Sequence, residues 1–287
     1  MYWLVTTAHL VDGLWFRDDD DFKVGMNYVA IQAGYGKAVV LAFILMSNHV
    51  HFVLKETREE VLAFINAFKH RYSLYYSKKY GIREFLRRND VDITPLPWGE
   101  EAIERAVAYV QMNCVAANIC AHPSQYPWGT GNIFFNRKMP AGRSLGALPA
   151  RERIRLLHSV CTGLPADWLV GVDGYILPES YVDVRMVEMR YRSARNMNYY
   201  LNTSSKARKK IEHLDEHLPA FRDQIILAAL PDLLKSLFGK ASFSALSPSE
   251  QTECLRQIRY RFSADINQVA RVCGISYEDA AGRIDAS

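Results

Sequence analysis

The stretch that most limits how this chain can fold is Met46-Ser47-Asn48-His49-Val50-His51-Phe52-Val53-Leu54. Apolar and β-branched residues dominate it, which is the composition of a strand. Side chains alternate between the two faces of a strand. His49 and His51 therefore project together on one face, where two imidazoles can reach one metal ion. Val50, Phe52 and Leu54 project on the other, toward a core. Ser47-Asn48 supplies turn chemistry, and Ala38 to Leu45 is a second apolar run just before it. The spacing predicts a tight hairpin with a metal-binding face.

The neighbouring segments extend this hairpin into a sheet. Tyr2 to His9 is apolar and β-branched, a first strand. The acidic run Asp18 to Asp21 suits a helix start, where the dipole favours negative charge. The helix continues through Phe22, Met26, Val29 and Ala33 and stops near Gly34 and Gly36. Thr57-Arg58-Glu59-Glu60 reads as a capping box. It opens a long helix through Val61, Ile65, Phe68, Tyr72 and Tyr75, with Lys78 and Lys79 in the last turn and Gly81 at the end. Val91 and Ile93 alternate as in a short strand, and Pro95-Leu96-Pro97 is expected to break the chain. Glu100 opens another helix, through Ile103, Val107 and Val110 to about Ala117. The order strand, helix, strand, strand, helix, strand predicts an α+β fold. Its form is a ferredoxin-like antiparallel sheet with helices on one face.

Residues 131–183 read as a connector with a short helix, Ala150 to Val160, and a hairpin around Asp173-Gly174. Residues 184–287 read as a mostly helical C-terminal region with a polar break at Asn202 to Ser205. Within it, Ile266 to Asp279 suggests a helix, a turn at Gly274 and a second helix capped by Ser276, a helix-turn-helix over 263–286.

Composition narrows the setting. The 287 residues are 49% hydrophobic and 23% charged, enough for a sizeable core and two domains. A net charge of +4 and a pI near 8.7 permit a polyanionic partner without demanding one. Five cysteines form no Cys-x-x-Cys pair, which fits reduced thiols in a cytoplasmic protein. The N-terminus lacks a signal-peptide pattern, and no apolar run is long enough for a bilayer.

A second motif lies on the helix from Glu100. Tyr109 and Asn113 are spaced to share one face. Met-Ser-Asn-His49-Val-His51-Phe, with Ala-Tyr109-Val-Gln-Met-Asn113-Cys-Val-Ala-Ala-Asn118-Ile and then Pro123 and Tyr126-Pro127-Trp128, resembles the single-tyrosine HUH transposases. These include the smallest insertion-sequence transposases and the REP-associated tyrosine transposases. The likeness covers roughly residues 1–130, the extent expected of the catalytic domain. It implies that Tyr109 is the nucleophile and that His49, His51 and Asn113 hold a divalent metal ion, Mg²⁺ or Mn²⁺. It also implies cleavage and rejoining of single-stranded or hairpin DNA through a 5′-phosphotyrosine bond. Many members have proline after the asparagine where Cys114 stands here, which bears on the helix end rather than the ligand. Family members act as dimers with shared sites or alone, so both a homodimer and a monomer stay open. A relaxase or replication initiator would use the same chemistry, but the short motif spacing argues against one. The rival from another class is a non-catalytic hairpin-binding protein derived from a transposase.

DNA-contacting surfaces have two candidates. Lys69, His70 and Arg71, with Arg83, Arg87 and Arg88 beyond them, could track phosphates or form a solvated charged face. Arg190, Arg192, Arg195 and Tyr199 interleave cations with aromatics, which suits single strands. The same pattern also fits a helix with snorkelling arginines. Lys206 to Lys210 adds charge. In the C-terminal helix pair, Glu278, Asp279 and Asp285 outweigh Arg283 and oppose phosphate binding.

Overall fold

Alternation along β3 (His49–Lys55) organises the sheet. Val50, Phe52 and Leu54 are fully buried on one face, and His49, His51 and Val53 are buried on the other. Strands buried on both faces need a layer on each side, and the chain supplies both. The computed structural model describes residues 1–8, 10, 14–83, 85–86, 89–97, 99, 101–117, 119–204, 221 and 223–285. β1 (Tyr2–Thr7), β2 (Val39–Met46), β3 and β4 (Val91–Leu96) form a four-stranded antiparallel sheet in the order β2-β3-β1-β4. The fold is thus α+β, with the expected hairpin forming one side of the sheet and β3 inside it.

Helices α1 (Asp19–Tyr35) and α2 (Arg58–Tyr80) pack together over the Phe52 face. The Phe52 ring meets Phe64 and Phe68 of α2 edge-on, at centroid distances of 5.4 and 5.8 Å. Asp18 caps α1 by accepting from the Asp21 amide at 2.9 Å, so the acidic run sits where the dipole favours it. Thr57 caps α2, but Glu60 does not complete the expected capping box. Its carboxylate pairs with Lys37 at 2.9 Å, a longer-range partner that outcompetes the local one. Gly81 ends α2 at φ 74°, the left-handed conformation a glycine takes without strain.

The expected single helix to about Ala117 is two pieces. The chain is helical over α3 (Ala102–Gln111), interrupted at Met112, and helical again over α4 (Asn113–Ala116). The expected start, Glu100, lies outside the described residues. α3 crosses the sheet face opposite α1 and α2, against β2 and β3. The expectation of helices on one face therefore holds for α1 and α2 only. Pro95 and Leu96 do not break the strand: they pair with Trp3 and Tyr2. β4 is an edge strand, where a proline's missing donor can face away from the ladder.

The β2 edge is covered. Leu45 donates to the Trp128 carbonyl at 2.9 Å, Thr130 to Phe43 at 3.0 Å and Asp183 to Val40 at 3.0 Å. The connector holds β5 (Arg143–Ser144), α5 (Ala150–Leu157) and β6 (Leu169–Val170). His158 ends α5 before the expected Val160, and the expected hairpin turns at Gly174, with Val170 bridging Ile176. α6 (Val184–Tyr191) and α7 (Ala194–Thr203) follow.

Apolar contacts divide the chain elsewhere than at 184. Val187, Tyr191, Met197, Tyr200 and Leu201 all pack into the first core. The second core takes Phe221 and α8 (Asp223–Phe238), α9 (Pro248–Phe262), α10 (Ile266–Cys273) and α11 (Tyr277–Asp285), together with Leu14 from the N-terminal region. α10 and α11 are joined through Gly274 at φ 68°, and Ser276 accepts from the Asp279 amide at 3.0 Å. Among the described residues, no helix is long and apolar enough to cross a membrane.

Candidate active site

β3 holds the two imidazoles side by side. Their ring centroids are 4.7 Å apart and the planes nearly perpendicular, at 88°. Both rings are buried, His49 at 5% and His51 at 1% exposure. Each Nδ1 has a named partner. His49 Nδ1 lies 2.7 Å from Asn48 Oδ1, and an amide oxygen only accepts, so this nitrogen carries the proton. The lone pair of His49 then sits on Nε2. His51 Nδ1 lies 3.0 Å from the Thr6 hydroxyl, which can accept from the same tautomer. Fixing the outer ring nitrogen in this way is how proteins orient histidine ligands.

α3 brings Tyr109 to these rings. Its ring meets His51 edge-on, with centroids 5.6 Å apart at 88°. Partial burial raises the Tyr109 pKa above that of a free phenol, so the hydroxyl is protonated at rest. Asn113 is buried at 4% exposure just past the interruption at Met112. Its Nδ2 donates to the carbonyls of Tyr109, at 2.9 Å, and Val110, at 3.2 Å. Oδ1, the atom a cation would use, is the other end of the same amide. The offered set is two imidazoles and one amide oxygen. No group of three or more His, Cys, Asp or Glu that could hold a metal occurs among the described residues. That set fits a divalent cation that completes its shell with water and phosphate oxygens.

Thr6 and Asn48 are the site residues that sequence reasoning did not single out. Asn48 reads as turn chemistry alone. Thr6 is found only through the β1–β3 register, which sets it opposite His51.

The expected DNA-contacting residues separate. Lys69 donates to the Asn89 carbonyl, and burial lowers its pKa. Arg71 donates to Ser159 Oγ at 2.7 Å and lies over the Tyr28 ring. Arg190 pairs with the buried Glu104 of α3 at 3.1 Å. These three cations hold the fold together. Arg83 is exposed and borders a groove of about 530 Å³ with His70, Ser73 and Ser77. Arg192, Arg195 and Tyr199 are exposed beside α3, to which α7 packs. Arg87, Arg88, Lys206 to Lys210 and the Asp285 side chain lie outside the described residues. Tyr72 and Tyr76, the other tyrosines a nucleophile search would consider, are buried on α2, across the sheet from the histidines.

Comparison of the chain with protein-family models, curated proteins and solved structures finds no match.

Proposed function

We propose that this chain is a metal-dependent, single-tyrosine HUH transposase that cleaves and rejoins single-stranded DNA at hairpin ends. The observation that carries the reading is the contact of Tyr109 with His51, which unites the two sequence motifs in one buried site. The sheet order β2-β3-β1-β4, with α1 and α2 on one face, supports the ferredoxin-like form the motifs imply.

His49, His51 and the Asn113 amide oxygen would hold the cation, which polarises the scissile phosphate and offsets its charge when bound. Asn48 keeps the His49 imidazole in the tautomer that ligation needs, and the Thr6 hydroxyl can accept from the same tautomer of His51. Tyr109 Oη attacks phosphorus, and the bond from phosphorus to the 3′ oxygen breaks. That oxygen leaves as a 3′-hydroxyl by taking a proton from water, while the phenolic proton passes to water, so no net proton is gained or lost. The new bond joins Tyr109 to the 5′ phosphate. One phosphodiester has replaced another, so a 3′-hydroxyl can attack in reverse and rejoin strands without ATP. Arg192, Arg195 and Tyr199, exposed beside α3, are the surface we assign to the single strand.

Tyr109→Phe tests this reading. The change removes one oxygen from a half-buried ring and leaves the packing. The probes are labelled hairpin oligonucleotides from the DNA flanking the gene, incubated with Mn²⁺ and run on a denaturing gel. Wild type should give a protein–DNA adduct and a fragment ending in a 3′-hydroxyl; the variant should bind in a native gel and give neither. An adduct from the variant would remove Tyr109 as nucleophile. Binding without any wild-type adduct would favour the non-catalytic hairpin-binding protein.

A further inference from the structure

The turn that carries the histidines is held by the far end of the chain. Ser47, 3% exposed, donates from Oγ to the carbonyl of Arg261 at 2.8 Å. Arg261 is in the last turn of α9, and its guanidinium is buried at 6% exposure against Asp19 and Gln257. The adjacent Tyr260 donates to the Gln125 carbonyl at 3.3 Å, and its ring lies 6.0 Å from that of Tyr126. Tyr126 in turn donates to Leu45 at the end of β2, at 2.7 Å. The two strands' connection is thus gripped from the C-terminal helices at Leu45 and at Ser47.

The grip continues into the imidazole. The Ser47 carbonyl accepts from Trp15, at 2.8 Å, and Phe16, at 3.3 Å, so this residue is fixed on both sides. Asn48 follows it directly. The Asn48 carbonyl accepts from Leu10 at 3.1 Å, its Nδ2 donates back to Leu10, and its Oδ1 sets the His49 tautomer. A shift of Ser47 therefore moves the group that decides which ring nitrogen of His49 bears the proton.

We propose that Arg261 and Ser47 are positioning residues through which the C-terminal helices set the orientation and tautomer of His49. The inference rests on the reading of His49 as a metal ligand, but the contact it describes does not need a metal to be tested. The unit that carries α10 and α11 is then coupled to the site, since the same α9 packs against both in one core.

The test uses the full chain with Ser47→Ala and, from the other side of the contact, Asp19→Asn. Arg271→Ala is the control, because Arg271 pairs with Asp223 in the same C-terminal unit away from the turn. Nitrogen NMR of the histidine rings reports the His49 tautomer without metal, and calorimetric titration with MnCl₂ reports affinity. Wild type and control should show one form with the proton on Nδ1. Both test variants should show a second tautomer, and their Mn²⁺ affinity should fall by about tenfold or more, the usual cost of losing an outer partner of a ligand. Wild-type ring signals in both test variants, or equal changes in the control, would overturn the proposal. If the wild-type chain binds no Mn²⁺, the metal-site reading fails, and the ring signals alone decide this one.

Discussion

The ligand role proposed for Asn113 and its structural role pull apart in one substitution, Asn113→Asp. As a metal ligand, a carboxylate should serve better than an amide. As a structural group, Asn113 gives both amide protons to the Tyr109 and Val110 carbonyls, at 2.9 and 3.2 Å, where α3 is interrupted. A carboxylate has no proton to give. Two hydrogen bonds are lost, each contributing about 1 kcal/mol, and negative oxygen is forced against two carbonyl oxygens at a nearly buried position. The sum is about 3 to 5 kcal/mol, or roughly 10 °C in melting temperature for a chain of this size. The new carboxyl can recover one bond by staying protonated, so its pKa should be raised. Stability is then retained at low pH and lost as pH rises through that value. Melts at pH 5.5 and 7.5, each with and without MnCl₂, check this. The variant should melt well below wild type at pH 7.5 without metal, recover at pH 5.5, and gain more than wild type from Mn²⁺. Wild-type melting at pH 7.5 without metal would refute the role assigned to the amide protons. Absence of any extra gain from Mn²⁺ would refute the ligand role.

Two further outcomes follow from buried groups on the other face. Burial and the neighbouring Asp21 push the Asp18 carboxyl up to about 6, despite Lys79 at 2.7 Å. Its folded pKa is raised, so its contribution is full below about pH 4 and lost as pH rises through about 6. Asp18→Asn keeps an N-cap, should flatten that part of a stability–pH curve from urea titrations, and should add about 2 to 3 kcal/mol at pH 7.5; a curve that keeps its slope refutes it. Tyr72→Phe removes the hydroxyl that donates to the Trp15 carbonyl and should cost about 1 kcal/mol. It should leave adduct formation on the denaturing gel unchanged, and loss of the adduct from a folded variant would put the nucleophile on the wrong face.

What was legible in the sequence is what local spacing encodes. The two-residue alternation around His49 and His51 predicts the shared face, and Asp18, Thr57 and Gly81 predict helix ends that the structure has. The interruption at Met112 was not legible, because Cys114 and its neighbours are compatible with a continuous helix. Glu60 shows the general reason. A side chain with a satisfactory partner nearby in sequence can have a better one far away, and here Lys37 takes it.

The cations make the same point for function. Arg190, Arg192, Arg195 and Tyr199 form one pattern in the sequence but two populations in the fold. Arg190 reaches the buried Glu104 on α3, and Tyr191 beside it donates to the Glu104 carbonyl at 2.5 Å. These contacts fix the helix that carries Tyr109. Arg192, Arg195 and Tyr199 face solvent next to it. Spacing cannot separate the two, since an acid many residues earlier decides which cation is consumed. A buried acid on α3 thus withdraws one arginine from the surface and uses it to hold α6 against that helix. The positive, aromatic strip left exposed beside α3 is narrower than the sequence suggests.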